Sequence, residues 1–266
     1  MFFPVAIRGT FIENWNSELL SLSIETRSIE LGASDVWVLG SFTPLFRDMT
    51  GYSSGNYFSE RFLRNIDDAL EKHPLVAPRI GFCSWKSLRI PILASYQSRG
   101  VLYTICSENE RVARAIAAHL SSETALFLHL RKWHDIPPWS EFRVFIRDRR
   151  VIGISQYHHQ SGFPEISASE RAIKASLSDF FRDLIDALHM DTVVADVFVE
   201  RQEDGRFKTT LIELNPFIQR TDPCLYTWKN GGDFDGGFRY REAQDQSQAA
   251  QSGPRQFRDD PWRLPS

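Results

Sequence analysis

Cysteine is scarce: Cys83, Cys106 and Cys224 are the three thiols in 266 residues. Their number is odd and their spacing is not that of a metal site, so reduced thiols in an intracellular, cytoplasmic protein are expected. Long apolar runs are absent as well, and no stretch of about eighteen apolar residues reads as a membrane span. The opening MFFPVAIRGTF carries Arg8 and makes a poor signal peptide. Neither sign of charge dominates, with 31 Lys+Arg against 34 Asp+Glu and a net charge of −3, so the basic field of a nucleic-acid binder is missing. The sequence has no G-x-x-x-x-G-K-[ST] loop, no G-x-G-x-x-G after a strand, no H-R-D with D-F-G, and no G-x-S-x-G elbow. Walker, Rossmann, protein-kinase and serine-hydrolase readings fail together.

What is present is the composition of a globular chain, 42% hydrophobic and 13% aromatic, long enough for a sizeable core. Periodic apolar positions predict helices over 65–72, 108–120 and 169–189, the last introduced by a Ser167-x-x-Glu170 capping box. Residues 125–133 read as a strand. Residues 141–156 read as a hairpin around the polar turn 147–150, and 192–217 as a second hairpin around 203–206. Long antiparallel hairpins between helices point to an α+β fold. From Lys229 to Ser266 the composition turns to Gly, Gln, Asp, Arg, Ser and Pro, and a flexible tail is expected there.

The second hairpin carries the most informative pattern. A two-residue turn at Asp204-Gly205 places Asp196 opposite Glu213, with Asn215 on the same face and Ile212 and Leu214 on the other. Facing carboxylates repel, and a divalent cation between them removes the repulsion. Two carboxylates and an amide suit Mg²⁺ or Mn²⁺, commonly shared with phosphates. A solvated acidic face without a metal is the alternative. Against it, Asp196 sits in the apolar run VVADVFV, where an ionised group is costly unless paired.

Basic residues offer anion partners. Arg131-Lys132-Trp133 closes the strand at 125–133, and Glu141 and Arg143 share a face of the first hairpin. Arg79 and Lys86 flank a short segment containing Ser84. Guanidinium forks match phosphate oxygens, whereas lysine acts as a point charge. His158 and His159 point to opposite faces of a strand and have no Cys or third His spaced to help them. A zinc role is therefore not expected, and a phosphate contact by one of them suits the pattern better.

Several segments resemble one family. Trp139-Ser-Glu-Phe-Arg143 with Val151-Ile-Gly-Ile-Ser-Gln156 is similar to its E-F-R…I-G-I-S-Q hairpin. Asp196-Val-Phe-Val199, Leu211-Ile-Glu-Leu-Asn-Pro-Phe217, Thr221-Asp222 and Leu225-Tyr-Thr-Trp228 are similar to its D-V-Y, D-F-N-P-F, T-D and L-F-T-W segments. Leu130-Arg-Lys-Trp133 is similar to its L-R-K-W strand end. The family is that of cell division cycle protein 123, and the resemblance covers most of residues 12–228. It implies an ATP-grasp fold, two α+β subdomains clasping ATP and Mg²⁺ between antiparallel sheets. The division expected is 1–123 for the N-terminal, nucleotide-covering subdomain and 124–228 for the subdomain with the metal hairpin.

By the same resemblance Asp196, Glu213 and Asn215 are metal ligands. The nucleotide set is Arg79, Ser84, Lys86, Arg131, Lys132, Trp133, Glu141, Arg143 and Gln156, with Arg143 the catalytic candidate. Three positions depart from the pattern: Arg79 stands for a phosphate lysine, Tyr157 for an arginine, and Glu213 for an aspartate. The departures suit a divergent ATP-dependent ligase that activates a carboxylate as an acyl phosphate for attack by an amine, with an acceptor still to be named. The alternative is a nucleotide-dependent assembly chaperone that binds the γ subunit of translation initiation factor two. Neither reading involves nucleic acid or membrane.

Overall fold

The computed structural model describes residues 5–52, 57–81, 83–84, 98–107, 109–122 and 124–243. Nine strands are described: β1 (Thr26–Glu30), β2 (Val76–Ile80), β3 (Cys83–Ser84), β4 (Phe127–Lys132), β5 (Glu141–Arg147), β6 (Arg150–Gln156), β7 (Val193–Arg201), β8 (Phe207–Asn215) and β9 (Phe238–Arg239). They form two sheets, in the orders β1-β4-β2-β3 and β8-β7-β5-β6-β9. Each sheet buries one face under helices. Leu128, Leu130, Val76 and Ile80 of the first pack with Leu39, Phe46, Ile66 and Ile116 from its helices. Phe142, Val144, Ala195, Val197 and Leu211 of the second pack on Ile173, Leu177, Phe181 and Leu184 of helix Pro164–Ala187.

The helix ends differ from the sequence reading for local reasons. The long helix begins at Pro164, whose fixed φ suits a first helical position, three residues before the expected box. Ser167 then lies inside the helix and donates to the Pro164 carbonyl at 3.0 Å, while Glu170 pairs with Lys174 at 3.1 Å. The helix expected over 65–72 spans Glu60–Lys72 and is capped by Ser59, which accepts from Phe62 N at 3.2 Å.

Two boundaries also move. β4 pairs with β1 and β2, so the chain leaves the first sheet after Lys132 and not at 124. Conversely, Ile12, Trp15 and Leu19 belong to the core of the second sheet. The expected tail begins too early. Phe238–Arg239 pairs in parallel with β6, Tyr226 donates its hydroxyl to the Gly237 carbonyl at 2.6 Å, and Phe234 packs between Tyr226 and Trp228. The aromatic residues of 234–240 anchor a segment whose average composition hides them. Residues 244–266 lie outside the described residues.

Candidate functional site

The faces of the two sheets not covered by helices turn toward each other. On β7 the alternation sends Ala195 and Val197 to the helix and leaves Asp196 on the opposite face, fully buried. On β5 it sends Phe142 and Val144 to the helix and leaves Glu141 and Arg143 beside Asp196, with Arg143 directly opposite it. β8 completes the group, since Asp196 pairs with Glu213 and Val194 with Asn215.

That pairing arises by a different route from the one the sequence suggests. Gln202 N donates to the Arg206 carbonyl at 2.8 Å and Gly205 N to the Gln202 carbonyl at 3.0 Å. The loop is therefore Glu203-Asp204-Gly205, one residue longer than a two-residue turn, with Gly205 at φ +80°. Such a loop alone would set Asp196 against Ile212. A bulge intervenes: Val197 pairs with Leu211 and Asp196 with Glu213, leaving Ile212 as the extra residue. Ile212 consequently packs with Ile24 and Phe198, not with Leu214 and the helix.

Asp196 is held by Arg143, Nε to Oδ1 at 2.7 Å and Nη2 to Oδ2 at 2.8 Å. The remaining Arg143 nitrogen, Nη1, donates to the Asp222 carbonyl at 2.8 Å. Asn215 Nδ2 lies 3.0 Å from Asp196 Oδ2 and 3.4 Å from Glu213 Oε1. Burial pushes the Asp196 carboxyl up, to about 7, with Arg143 pulling against it and Glu213 and Glu141 adding to the push. For Arg143 burial disfavours the charge, but the Asp196 carboxylate outweighs it and holds the guanidinium above its ordinary value.

The first sheet faces this group with Arg79 and Arg131, both buried. Arg79 forms an ion pair with Glu213 across the cleft. Arg131 donates Nη1 to the Ile212 carbonyl, at the bulge, and Nε to Thr26 Oγ1 at 3.2 Å. Among the described residues its Nη2 is buried without a hydrogen-bond partner. Burial, and after it the charge of Arg79, pull the Arg131 guanidinium below its ordinary value, with Glu213 opposing. Next to these side chains a cavity of about 280 Å³ is lined by Ile24, Ala77, Pro78, Ile136 and Ile212, and by Arg79, Arg131, Lys132, Trp133, His134 and Glu141. Sequence reasoning missed Ala77, Pro78, His134, Ile136 and the bulged Ile212. They carry no charge pattern, and only the pairing of β2, β4 and β8 brings them together.

Seven of the candidate residues thus meet here: Arg79, Arg131, Glu141, Arg143, Asp196, Glu213 and Asn215. Lys132 and Trp133 line the cavity beside them. Ser84 belongs to β3, where it pairs with Arg79 along the backbone, and Lys86 lies outside the described residues. Gln156 does not face the cleft. It pairs with Phe142, whose side chain packs toward the helix, and its Nε2 donates to the carbonyls of His158 and Ser161 at 2.7 and 2.6 Å. Its Oε1 accepts from Arg241 N at 3.0 Å. The cleft-facing neighbour on β6 is Ser155, opposite Arg143. Tyr157, in the place of an arginine, lies under Arg143, whose guanidinium carbon is 4.8 Å from the ring centre.

A cation with a polyphosphate fits these residues. Three oxygen-bearing side chains converge, and the Asn215 amide turns its nitrogen toward both carboxylates, the orientation that satisfies them without a cation. Turning the amide over would offer its oxygen instead. A buried, partnerless guanidinium nitrogen beside an apolar cavity suits an anion joined to a flat apolar group.

A family model described as D123 matches residues 102–256, more than half of the chain. The chain belongs to the D123 family. A cell division cycle protein 123 from Eremothecium gossypii is 36% identical over 112 residues, 42% of this chain and 30% of that protein. A translation initiation factor eIF2 assembly protein from Xenopus laevis is 36% identical over 102 residues, 38% of this chain and 29% of that protein. The matched stretch is therefore less than a third of the length of these curated D123 relatives. The structure of Cdc123 from Schizosaccharomyces pombe superimposes with a TM-score of 0.68 at 18% identity, covering 86% of this chain and 92% of that one. The fold is therefore shared with that Cdc123 structure and is the mixed α+β arrangement of two sheets expected from the sequence. Among the described residues no helix is long and apolar enough to cross a membrane.

Proposed function

We propose that this D123 protein binds ATP with Mg²⁺ in the cleft between its sheets and acts as a cytoplasmic assembly factor for translation initiation factor two, engaging the γ subunit. Asp196, Glu213 and Asn215 would hold the cation, with Mn²⁺ an acceptable substitute for this oxygen set. Arg79 and Arg131 would take phosphate oxygens, and Arg143 would keep Asp196 oriented. The cavity beside Arg131, Lys132 and Trp133 would take the base. Bound nucleotide supplies negative charge to a wall of buried guanidinium groups and a shared contact for both sheets. The observation that carries the ATP reading is the Arg79–Glu213 ion pair, which joins the basic wall to the acidic hairpin beside that cavity.

The names of the relatives support assembly over ligation. Two of the three departures have partners that need no turnover: Arg79 engages Glu213 and Tyr157 packs under Arg143. A carboxylate-activating ligase would show ADP release that depends on an added carboxylate and amine.

The assembly reading is tested by capture of the initiation factor two γ subunit on immobilised protein with and without ATP·Mg²⁺. Retention of the γ subunit is expected. A protein that binds ATP·Mg²⁺ normally but retains none of the subunit would overturn this part of the proposal.

A further inference from the structure

His159, Asp222 and Cys224 each offer one ligand atom, and the three atoms lie within 4.8 Å of one another. Two separate segments supply them, the turn after β6 and the connection after β8, so no spacing in the sequence reveals the group. We propose that these three side chains form a zinc site, distinct from the Asp196 group.

The contacts around His159 and Asp222 are those that a ligand needs, while the Cys224 thiol lies 3.9 Å from the Tyr157 carbonyl. His159 Nδ1 lies 3.1 Å from the Tyr157 carbonyl. A proton on Nδ1 donated to that carbonyl leaves Nε2 with a free lone pair, the usual arrangement of a metal-bound imidazole. Asp222 Oδ1 accepts from Cys224 N at 2.8 Å, which fixes the carboxylate and leaves Oδ2 available. Cys224 has φ +54°, an uncommon conformation for a non-glycine residue. Leu225 N, donating to Ser155 Oγ at 3.1 Å, pins the following residue.

The donor set selects the metal. One thiolate, one imidazole and one carboxylate suit zinc, whereas Mg²⁺ takes oxygen ligands alone. Three protein ligands leave a fourth, open position. Tetrahedral zinc keeps its ligands about 3.5 Å apart, so binding draws together by at most about an ångström any pair that stands near the 4.8 Å limit. The thiol proton of Cys224 passes to solvent as the Zn–S bond forms. Asp222 is exposed while His159 and Cys224 are half-buried, so the cation enters directly from solvent. The site shares a residue with the cleft, because the Asp222 carbonyl holds Arg143 Nη1. Zinc at Asp222 would steady the Arg143–Asp196 pair from outside.

Cobalt titration of the chelator-treated, tag-free full chain tests this independently of nucleotide binding. One equivalent of Co²⁺ is expected to produce a near-ultraviolet thiolate-to-cobalt band with tetrahedral visible bands. Zn²⁺ should abolish these bands and excess Mg²⁺ should leave them. Cys224→Ser should remove the thiolate band, and His159→Gln should lower cobalt affinity about tenfold or more. The proposal is overturned if wild type gives no thiolate band, if the band survives Cys224→Ser, or if Mg²⁺ displaces the cobalt.

Discussion

Arg143 binds both carboxylate oxygens of Asp196, at 2.7 and 2.8 Å, and neither side chain reaches solvent to any useful extent. An ion pair of this kind gains most of its stability from being complete, because either partner alone is a buried charge. Arg143→Ala should therefore destabilise the fold by about 3–5 kcal/mol. Combining it with Asp196→Asn, which removes the stranded charge, should cost less than the sum of the two single changes. Urea unfolding of the two single variants and the double variant measures this. An additive result would show that the two residues do not act as a pair.

Arg79 reaches across the cleft to Glu213, and the ATP reading gives it a phosphate oxygen as well. A hydrogen bond to a charged group is worth about 1.5–3 kcal/mol. Arg79→Ala should weaken ATP·Mg²⁺ binding about tenfold to hundredfold by that magnitude. Arg79→Lys should retain more affinity than Arg79→Ala, since it keeps the charge and loses the fork. Competition against a fluorescent ATP analogue reads both values. Equal affinity for all three proteins would remove Arg79 from the site.

Much of this group was legible in the sequence because β-strand alternation is simple. Asp196 in an apolar run, and Glu141 and Arg143 two apart, fall on the cleft face by period two alone. A two-residue turn and a three-residue loop followed by the Ile212 bulge give the same Asp196–Glu213 pair, and the chain uses the second. Neither the loop length nor the bulge is written in the local pattern, since Asp-Gly serves loops of two or three residues equally well. Gln156 misled because its motif neighbours lie in the site, while its own parity turns it toward the helix. The anchoring of 234–240 escaped because averages over a polar segment dilute Phe234, Phe238 and Tyr240. The meeting of His159 with Cys224 depends on where two distant connections end, which no spacing encodes.

Ala77 lies on β2 opposite Arg131 and lines the cavity of about 280 Å³. A larger side chain there takes up room in a cavity that Asp196, Glu213 and Asn215 do not line. Ala77→Phe should lower ATP affinity at least about tenfold while leaving the urea midpoint near wild type, since the added ring enters open volume. Wild-type affinity in a folded Ala77→Phe protein would place the base elsewhere.

Cys106 is half-buried beside the core of the first sheet. Burial pushes its thiol up from 9.0 to about 12, so the thiolate is favoured only as pH rises toward that value. At pH 8 its thiolate fraction is therefore far below that of an ordinary cysteine, and only the thiolate alkylates. Iodoacetamide labelling at pH 8, resolved by mass spectrometry, should leave Cys106 unmodified in the native protein and modify it in urea. Rapid native labelling would contradict the burial.

On the proposed reading Asp196, facing Glu213 and Asn215, holds the cation of a bound nucleotide. Calorimetry of ATP·Mg²⁺ binding to the wild type and to Asp196→Asn tests it most directly, with the folded state of the variant checked by circular dichroism. Mg²⁺-dependent binding by the wild type is expected, with a loss of at least about tenfold in the variant, the scale of a charged contact. Binding of equal strength in both proteins, or no binding by the wild type, would contradict it.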